Sequence, residues 1–367
     1  MQLDRIQWSQ VRELNQEAYK KLISGQSKGI AAACARAILR LLSWGYAAII
    51  GIRNLLYSKG WLKIHHANIP VISVGNITTG GTGKTPLVIW LANQITQNSK
   101  FKNCGILTRG YKTTDEPKIL AQSCPAAKVI INPDRAAGAQ EAINKFAVQV
   151  LIMDDGFQHR RLGRNLDIVT IDATCPFGYG KILPAGLLRE PVSVLKRANA
   201  AVLTRSDQIK KSELENLEDQ LHQINSKILI AKAVHNPLCA QTTRGEQIAI
   251  DQLEDKKIFA FCGIGNPEAF FNTIKKTAAQ LVDSKTYNDH HIYTDADIND
   301  IYEQALYLGA QLILTTQKDW MKISAMKLPT ADLPFAYLVM EIKFTDGQDK
   351  LKQLIDTALT VKIPQIK

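Results

Sequence analysis

The sequence has no C-x-x-C pair, no apolar run in its first residues and no uncharged run long enough to cross a bilayer as a helix. Its 6 cysteines are scattered without a C-x-x-C pair, which argues against zinc ribbons and dithiol redox motifs and predicts reduced cytosolic thiols. The opening residues, MQLDRIQWSQ, are polar and charged, so we expect no signal peptide and a chain that stays inside the cell. Internal repeats and low-complexity tracts are also missing.

The composition is that of a folded protein with an excess of positive charge. Of the 367 residues, 46% are hydrophobic and 22% are charged, which excludes a disordered or collagen-like chain. This length exceeds the range in which a single core keeps growing, so two domains are expected. The formal charge of +11 favours anionic partners, namely nucleic acid, acidic lipid head groups or phosphorylated metabolites. Charge alone does not choose among them.

Residues 29–56 form an apolar stretch interrupted by Arg36, Arg40 and Arg53. Only about a dozen residues between Arg40 and Arg53 lack charge, fewer than the ~20 that a transmembrane helix needs, so a full span is not expected. Lysines and amphipathic aromatic residues flank the stretch, which favours a helix lying in an anionic membrane interface. An ordinary helix packed on the domain core is the alternative.

Downstream of this stretch, short β-branched runs alternate with helical segments, which is typical of a doubly wound parallel α/β sheet. The predicted strands of a first domain cover residues 69–74, 105–108, 148–153, 167–171, 200–203 and 228–231. Further strands at 258–262, 311–314 and 335–340 predict a second, smaller α/β domain. The expected organisation is a helical, membrane-associating segment over 1–60, a P-loop-type domain over 61–235, and a linker with the smaller C-terminal domain over 236–367.

The glycine-rich segment GNITTGGTGKTP, residues 75–86, directly follows the first predicted strand and precedes a helical segment. Glycines in such a loop let backbone N–H groups point at phosphate oxygens, and the following helix adds its positive N-terminal end. Lys84 is expected to reach the β- and γ-phosphates of a nucleotide, and Thr85 to place its hydroxyl on Mg²⁺. Thr78 replaces the first glycine of the usual pattern. The predicted phosphate cradle consists of Thr78, Thr79, Gly80, Gly81, Thr82, Gly83, Lys84 and Thr85.

A buried strand followed by paired carboxylates, VQVLIMDDGFQHRR, occupies residues 148–161. This arrangement is typical of a Walker B strand, which holds Mg²⁺ or its water shell opposite the phosphate loop. Asp154 and Asp155 are therefore the predicted metal ligands. Because neighbours on a strand face opposite ways, one should meet the metal while the other orients lysine or water. His159 lies on the loop that follows, where a catalytic role and a structural hydrogen bond are equally expected.

Two other classes of P-loop protein use similar loops. Partition and membrane-positioning ATPases carry an extra lysine before the double glycine, where this sequence has Thr79. GTPases need an N/T-K-x-D motif to read the base, and residues 204–207 and 317–319 do not match it. A membrane-associated P-loop ATPase that acts as a switch or positioning factor stays as the alternative function.

Further motifs follow in a fixed order: DDGFQHRRLGRNLDIVTID, LPAGLLREP, FCGIGNPEAFF, DHHIYTDAD and TTQKDWMK. With the glycine-rich loop they closely resemble the tetraacyldisaccharide 4'-kinase family, the lipid A 4'-kinases of Gram-negative bacteria. The resemblance implies transfer of the γ-phosphate of ATP, with Mg²⁺, to the 4'-hydroxyl of tetraacyldisaccharide 1-phosphate, forming lipid IVA in lipid A biosynthesis. It also implies a lipid kinase at the cytoplasmic face of the bacterial inner membrane, peripheral or monotopic, with no nucleic acid and no obligate protein partner.

The resemblance also implies a general base for the acceptor hydroxyl. It assigns this role to Asp115, paired with His290 of the DHH motif. The loop before Asp115 is shorter than in the family, and Thr114 stands where the family has glycine. Asp134 is the fallback carboxylate.

Other roles concern the metal and the substrate. The resemblance places Glu190 near Mg²⁺ and makes Lys84 part of the catalytic set, and Arg189 and His159 are expected beside the substrate. Arginine suits bidentate contacts with phosphate, and further candidate clamps are Arg160, Arg161 and Arg164. No chemical step is assigned to Lys318 or Asp319 of the TTQKDWMK motif.

Overall fold

The computed structural model describes residues 18–97, 101, 103–110, 116–265, 267–288, 291–329 and 333–360. Asp115 and His290 lie outside these ranges, so their assignment stays a prediction. The described residues divide into two compact units. Residues 18–235 and 342–360 form one, which we call the P-loop unit, and residues 236–341 form the second unit.

The P-loop unit begins with two helices, α1 over residues 18–24 and α2 over Ile30–Ser58. Strands and helices then alternate: β1 (Val71–Asn76), α3 (Lys84–Gln97), β2 (Cys104–Thr108), α4 (Glu116–Ser123), β3 (Ala127–Ile131), α5 (Arg135–Phe146), β4 (Val150–Asp154), β5 (Leu166–Asp172), β6 (Ala200–Thr204), α6 (Lys211–Ile224) and β7 (Leu229–Thr242). The end of β12 (Phe335–Asp346) and α10 (Gln348–Thr360) complete the unit.

The strands of this unit lie in the order β7-β6-β5-β1-β4-β2-β3, and neighbours pair in parallel. Helices cover both faces: Ile72 of β1 packs in one core with Leu91 of α3, whereas Val71 packs in another with Ala142 of α5. The doubly wound parallel sheet predicted from the sequence is therefore confirmed. Its topology brings the loops after β1 and β4 to the same edge, where open α/β sheets bind ligands.

The second unit is a smaller α/β structure, also as predicted. It contains the end of β7, β8 (Gln247–Ala249), β9 (Lys257–Cys262), α7 (Pro267–Lys276), β10 (Gln280–Thr286), α8 (Asp295–Tyr307), β11 (Leu312–Thr316), α9 (Gln317–Ile323) and the beginning of β12. The strand order is β10-β9-β11-β12-β7. The pairs β10 with β9, β9 with β11 and β11 with β12 are parallel, and β8 pairs antiparallel with β7.

The C-terminal boundary differs from the prediction, which assigned 236–367 as a whole to the second domain. After Glu341 the chain returns to the P-loop unit. Ile342 and Ile355 belong to that unit's core, and the ring centroid of Phe344 lies 4.7 Å from that of Trp90. Burial against residues so distant in the chain leaves no mark in the local sequence pattern, which is why the boundary was misplaced.

Helix α2 rests on the P-loop unit with one face and exposes the other. Ser43 and Ile50 are buried, whereas Leu42, Ile49 and Ile52 are 57%, 67% and 60% exposed. Among the described residues, α2 is the one helix whose length and composition would allow it to cross a membrane. The helix, at 29 residues, is therefore longer than the uncharged core of the sequence, and it includes the three arginines.

Candidate active site

The loop between β1 and α3 has the backbone shape of a phosphate cradle. Gly80 and Gly83 have φ angles of +117° and +84°, a region that other residues rarely adopt. A Cβ atom on Gly83 would lie 2.7 Å from Nε2 of His235, which also favours glycine there. Helix α3 begins at Lys84, so the N–H groups of its first turn lie at the loop. This geometry supports the predicted cradle over residues 78–85.

Side chains from neighbouring strands hold the loop in place. The hydroxyl oxygens of Thr82 and Thr170 are 2.8 Å apart and share a hydrogen bond. Thr204 donates a hydrogen bond of 3.0 Å to the carbonyl oxygen of Thr82, and Arg205 donates one of 3.0 Å to that of Gly81. These braces were not predicted from the sequence, where the run T-R-S-D was weighed only as a base-reading motif.

Asp155 lies in a cluster of charges directly after β4. Its Oδ1 is 3.7 Å from Nζ of Lys84, and Arg189 donates hydrogen bonds of 3.0 and 2.9 Å to its two carboxylate oxygens. Burial raises the pKa of Asp155, but the charges of Lys84 and Arg189 outweigh this effect, so the pKa is lowered overall. An ionised carboxylate therefore lies beside the lysine of the cradle.

Asp154, the preceding residue, has different surroundings. Its carboxyl group is buried and accepts a hydrogen bond of 3.3 Å from Oγ1 of Thr108. Arg135 donates a hydrogen bond of 3.0 Å to its backbone carbonyl oxygen. Burial, followed by the charge of Glu116, raises the pKa of Asp154 to about 6. The two adjacent carboxyl groups are thus tuned in opposite directions.

Glu190 is fully buried and surrounded by donors. Arg53 and Asn54 of α2 donate hydrogen bonds of 2.6 and 3.1 Å to its Oε1, and Arg197 donates one of 2.5 Å to its Oε2. Both carboxylate oxygens therefore have cationic partners from the protein itself. The predicted contact between Glu190 and Mg²⁺ stays a prediction, and the ion pair with α2 was not predicted from the sequence.

A basic cavity of about 240 Å³ opens beside the carboxyl end of β4. Its lining includes Arg53, Arg135, His159, Arg160 and Arg161. Burial, followed by the charge of Arg135, lowers the pKa of His159, and burial followed by neighbouring arginines lowers that of Arg160. Burial is the main cause of both pKa shifts, and neighbouring arginines add to it. The lining also contains Asp134, which pairs with Arg161 at 3.0 Å, but the four arginines leave an excess of positive charge that suits an anionic group. The structure thus brings His159 together with two of the predicted clamps, Arg160 and Arg161.

Two other predicted candidates have structural partners. Arg164 forms a salt bridge of 3.0 Å with Asp167, and both side chains are largely buried, so Arg164 is committed to the fold rather than to a substrate. Asp134, the fallback base, caps α5 by accepting hydrogen bonds of 3.0 and 3.3 Å from the backbone N–H groups of Ala136 and Ala137. Its carboxylate therefore has a helix-capping role, which its position just before α5 explains.

A parallel sheet with a glycine-rich loop after β1, and an ionised aspartate beside the loop's lysine after the neighbouring strand β4, is typical of the P-loop class of nucleotide-binding proteins, which includes kinases. The family model described as tetraacyldisaccharide-1-P 4'-kinase matches residues 35–360 of this sequence. The chain therefore belongs to the tetraacyldisaccharide-1-P 4'-kinase family.

The chain is similar to proteins of that family over most of its length. The tetraacyldisaccharide 4'-kinase of Syntrophotalea carbinolica is 34% identical over 341 residues, which cover 87% of this chain and 92% of the relative. That of Elusimicrobium minutum is 36% identical over 316 residues, covering 78% and 82%. A crystal structure of LpxK from Aquifex aeolicus in complex with ATP has a TM-score of 0.70 and 29% identity, covering 89% of this chain and 99% of that one.

Proposed function

We propose that this protein transfers the γ-phosphate of ATP to the 4'-hydroxyl of tetraacyldisaccharide 1-phosphate, forming lipid IVA in lipid A biosynthesis. The observation that carries the proposal is the cluster of Lys84, Asp155 and Arg189 beside the glycine-rich loop in a chain of the 4'-kinase family. Phosphoryl transfer depends on positioning and on cations that neutralise charge on the transferred group. This cluster supplies both requirements.

ATP and Mg²⁺ are the proposed cofactors. Mg²⁺ takes oxygen ligands and is commonly bound by one or two carboxylates together with substrate phosphates and water. The residues present fit that pattern, because Asp155 is ionised beside Lys84 and Asp154 offers a second carboxyl group next to it. One of these two aspartates and the hydroxyl of Thr85 would hold the ion. When bound, Mg²⁺ would supply positive charge at the nucleotide phosphates.

In this proposal the described side chains orient groups and neutralise charge. Lys84 binds the β- and γ-phosphates, and Asp155 keeps its ammonium group directed at the loop. Arg189 holds Asp155 through both carboxylate oxygens, which leaves the aspartate little freedom to turn away. Thr170 and Thr204 keep the loop rigid, so that little reorganisation is needed when the phosphates react.

The basic cavity is the proposed seat of the acceptor's 1-phosphate. Arg160 is held there by a hydrogen bond of 2.9 Å to the carbonyl oxygen of Asn54 and by the ring of Tyr57, 5.3 Å from its guanidinium carbon. A guanidinium group fixed in this way loses little further freedom when it binds phosphate. Arg161, with a side chain that is 57% exposed, is the more accessible of the two.

The exposed face of α2 is the proposed membrane contact, at the cytoplasmic face of the inner membrane. Ile38, Leu42, Ile49 and Ile52 repeat at helical spacing and are each more than half exposed. Apolar area of this kind buries itself in the headgroup boundary of a bilayer. Because the opposite face is hydrogen-bonded to the P-loop unit, we propose a peripheral or monotopic attachment rather than a full span.

The acceptor hydroxyl loses its proton as the phosphorus atom approaches, so a base is required. We propose Asp115 for this role and His290 as its partner, on the resemblance alone. Asp115→Ala and His290→Ala should each lower kcat by about 10²–10⁴-fold, with little change in ATP affinity. If they act as one unit, steady-state kinetics of the double variant will show much less than an additive effect. Effects that multiply would indicate independent roles.

The decisive experiment is incubation of the purified protein with γ-labelled ATP, Mg²⁺ and lipid A disaccharide 1-phosphate in detergent. Label transferred to the lipid supports the proposal. The rival reading, a membrane-associated ATPase that acts as a switch, predicts ATP hydrolysis that the lipid leaves unchanged. Hydrolysis without labelled lipid would therefore overturn the kinase proposal in favour of the rival.

A further inference from the structure

One stretch of chain contacts both α2 and the phosphate loop. We call residues 182–190, ILPAGLLRE, the linking segment. On the side of α2, the carbonyl oxygen of Ile182 accepts a hydrogen bond of 2.8 Å from Ser43. Tyr46, one turn further along α2, donates a hydrogen bond of 3.1 Å to the carbonyl oxygen of Arg189. Both contacts use side chains on the inner face of α2.

On the side of the phosphate loop, the linking segment is bonded through its backbone. The N–H group of Thr79 donates a hydrogen bond of 2.8 Å to the carbonyl oxygen of Leu187. The N–H group of Arg189 donates one of 2.7 Å to the carbonyl oxygen of Ile77. The linking segment therefore has backbone or side-chain hydrogen bonds to the lipid-facing helix and to the cradle within the same few residues.

Glu190 is the strongest connection between the linking segment and α2. Its side chain is 0% exposed, and its Oε1 lies 2.6 Å from Arg53 of α2. A buried carboxylate is costly unless it is paired, and removing one partner of such a pair leaves an uncompensated charge. Arg53 and Asn54 both contact Oε1 of Glu190, while Arg197 binds Oε2, so α2 holds one of the two carboxylate oxygens of this residue.

The residue before Glu190 reaches the reacting end of the site. Arg189 binds both carboxylate oxygens of Asp155, and Asp155 lies 3.7 Å from the ammonium group of Lys84. The backbone of Arg189 is thus held by Tyr46 on one side while its side chain holds Asp155 on the other. A shift of the helix would be passed to the aspartate through one residue.

We propose that α2 is a positioning element of the active site as well as a membrane contact. Through Glu190, Arg53 fixes the linking segment, so that Arg189 holds Asp155 in the orientation that directs Lys84 at the nucleotide. Arg53 and Glu190 are positioning residues in this inference, since both act through Arg189 rather than on the substrate. The inference rests on the proposed phosphotransfer, because kcat of that reaction is what the test measures. In this inference Glu190 acts without a contact to the metal.

The test compares two arginines of the same helix in detergent, where attachment to a membrane does not limit the rate. Arg53→Gln should lower kcat by about 10–100-fold, because small displacements at a remote residue can have that effect on positioned groups. Because Arg53 also lines the basic cavity, kcat is measured at saturating lipid, where weaker binding of the 1-phosphate does not limit the rate. Arg53→Lys should recover part of the loss, and co-sedimentation with liposomes should stay as in the wild type. Arg36→Gln is the matched control, because Arg36 donates a hydrogen bond of 2.7 Å to Ser27, away from the linking segment.

A double-mutant cycle separates positioning from general loss of structure. Arg53→Gln combined with Arg189→Gln should be clearly less than additive, whereas Arg36→Gln combined with Arg189→Gln should be additive. Equal turnover of Arg53→Gln and Arg36→Gln, or additive effects in the first cycle, would overturn the inference.

The test also gives an answer if Arg53→Gln does not fold or if the wild type does not label lipid. If Arg53→Gln does not fold, Tyr46→Phe removes only the hydroxyl group that holds the backbone of Arg189 and should lower kcat in the same direction by a smaller factor. Unchanged kcat in that variant counts against the inference. If the wild type hydrolyses ATP without labelling lipid, the proposed function has failed, and the same variants then test the positioning role by ATP turnover.

Discussion

Each unit of the protein carries an aspartate close to the carboxyl end of a parallel strand, and the two aspartates have opposite surroundings. In the P-loop unit, the side chain of Asp155 is 32% exposed and is held by Lys84 and Arg189. In the second unit, Asp319 is 0% exposed and pairs with Lys322 at 2.8 Å. Asp319 also accepts hydrogen bonds from the backbone N–H of Gly263, at 2.9 Å, and from Thr316.

The difference separates a carboxylate available to a ligand from one that serves the fold. Asp319 is buried and lies inside α9, which Thr316 caps. Asp155 keeps access to solvent beside a loop shaped for phosphate. Lys322 of the TTQKDWMK motif lies one helical turn from Asp319 and pairs with it. From the sequence, Asp319 could belong to a structural or to a substrate-side loop, and these contacts favour the structural role.

The largest expected effect is a loss of turnover when the charged side chains around Asp155 in the P-loop unit are replaced. Lys84→Ala and Asp155→Asn should each lower turnover by about 10³-fold or more, because both remove charge that acts on the transferred phosphate or on its cation. In either variant the free energy of unfolding, followed by thermal denaturation, should change by no more than about 1 kcal/mol, since both side chains are partly exposed. Turnover is measured by transfer of labelled phosphate to lipid. Near wild-type turnover in either variant would refute the assignment of the phosphate cradle.

In the second unit, removing the aspartate should lower the stability of the protein. Asp319→Ala leaves the ammonium group of Lys322 and the N–H of Gly263 without their buried acceptor, so the free energy of unfolding should fall by about 3 kcal/mol. Urea denaturation measures this change. Lys145→Ala is the control, because it breaks the pair of Lys145 with Glu141, which solvent screens, and it should change the free energy of unfolding much less. An equal fall in the free energy of unfolding in the two variants would show that the buried pair of Asp319 with Lys322 does not stabilise the second unit more than a pair that solvent screens.

The strands that could be predicted from sequence are the ones buried on both faces. β1, β2, β4 and β6 are buried at every residue, so their apolar runs are unbroken. β3 and β10 were missed, and both are sheet edges with mostly accessible residues. An edge strand buries less surface and therefore needs fewer apolar residues, which leaves a weaker signal in the sequence.

In the site, too, sequence predicts only the residues that lie close together in the chain. The glycine-rich loop and the aspartate pair are short contiguous motifs with a fixed chemical purpose, so residue types and spacing suffice to find them. The pair of Arg53 with Glu190 joins residues that are 137 positions apart, and the braces from Thr204 and Arg205 cross 122 and 124 positions. Contacts at such separations depend on the packing of the whole unit, which no local pattern encodes.

The smallest expected effect sharpens the contrast between Asp155 and its neighbour. Burial raises the pKa of Asp154 from 3.8 to about 6, so the wild type loses stability as the pH rises from about 4 to about 6 and the carboxyl group ionises in the fold. Asp154→Asn should therefore raise the free energy of unfolding by about 1–2 kcal/mol at pH 8 but not at pH 4, while abolishing turnover. The lowered pKa of Asp155 gives Asp155→Asn the opposite sign, a slight loss at pH 8 that disappears in acid. Thermal unfolding of both variants without metal measures the difference, and equal shifts at pH 8 would contradict it.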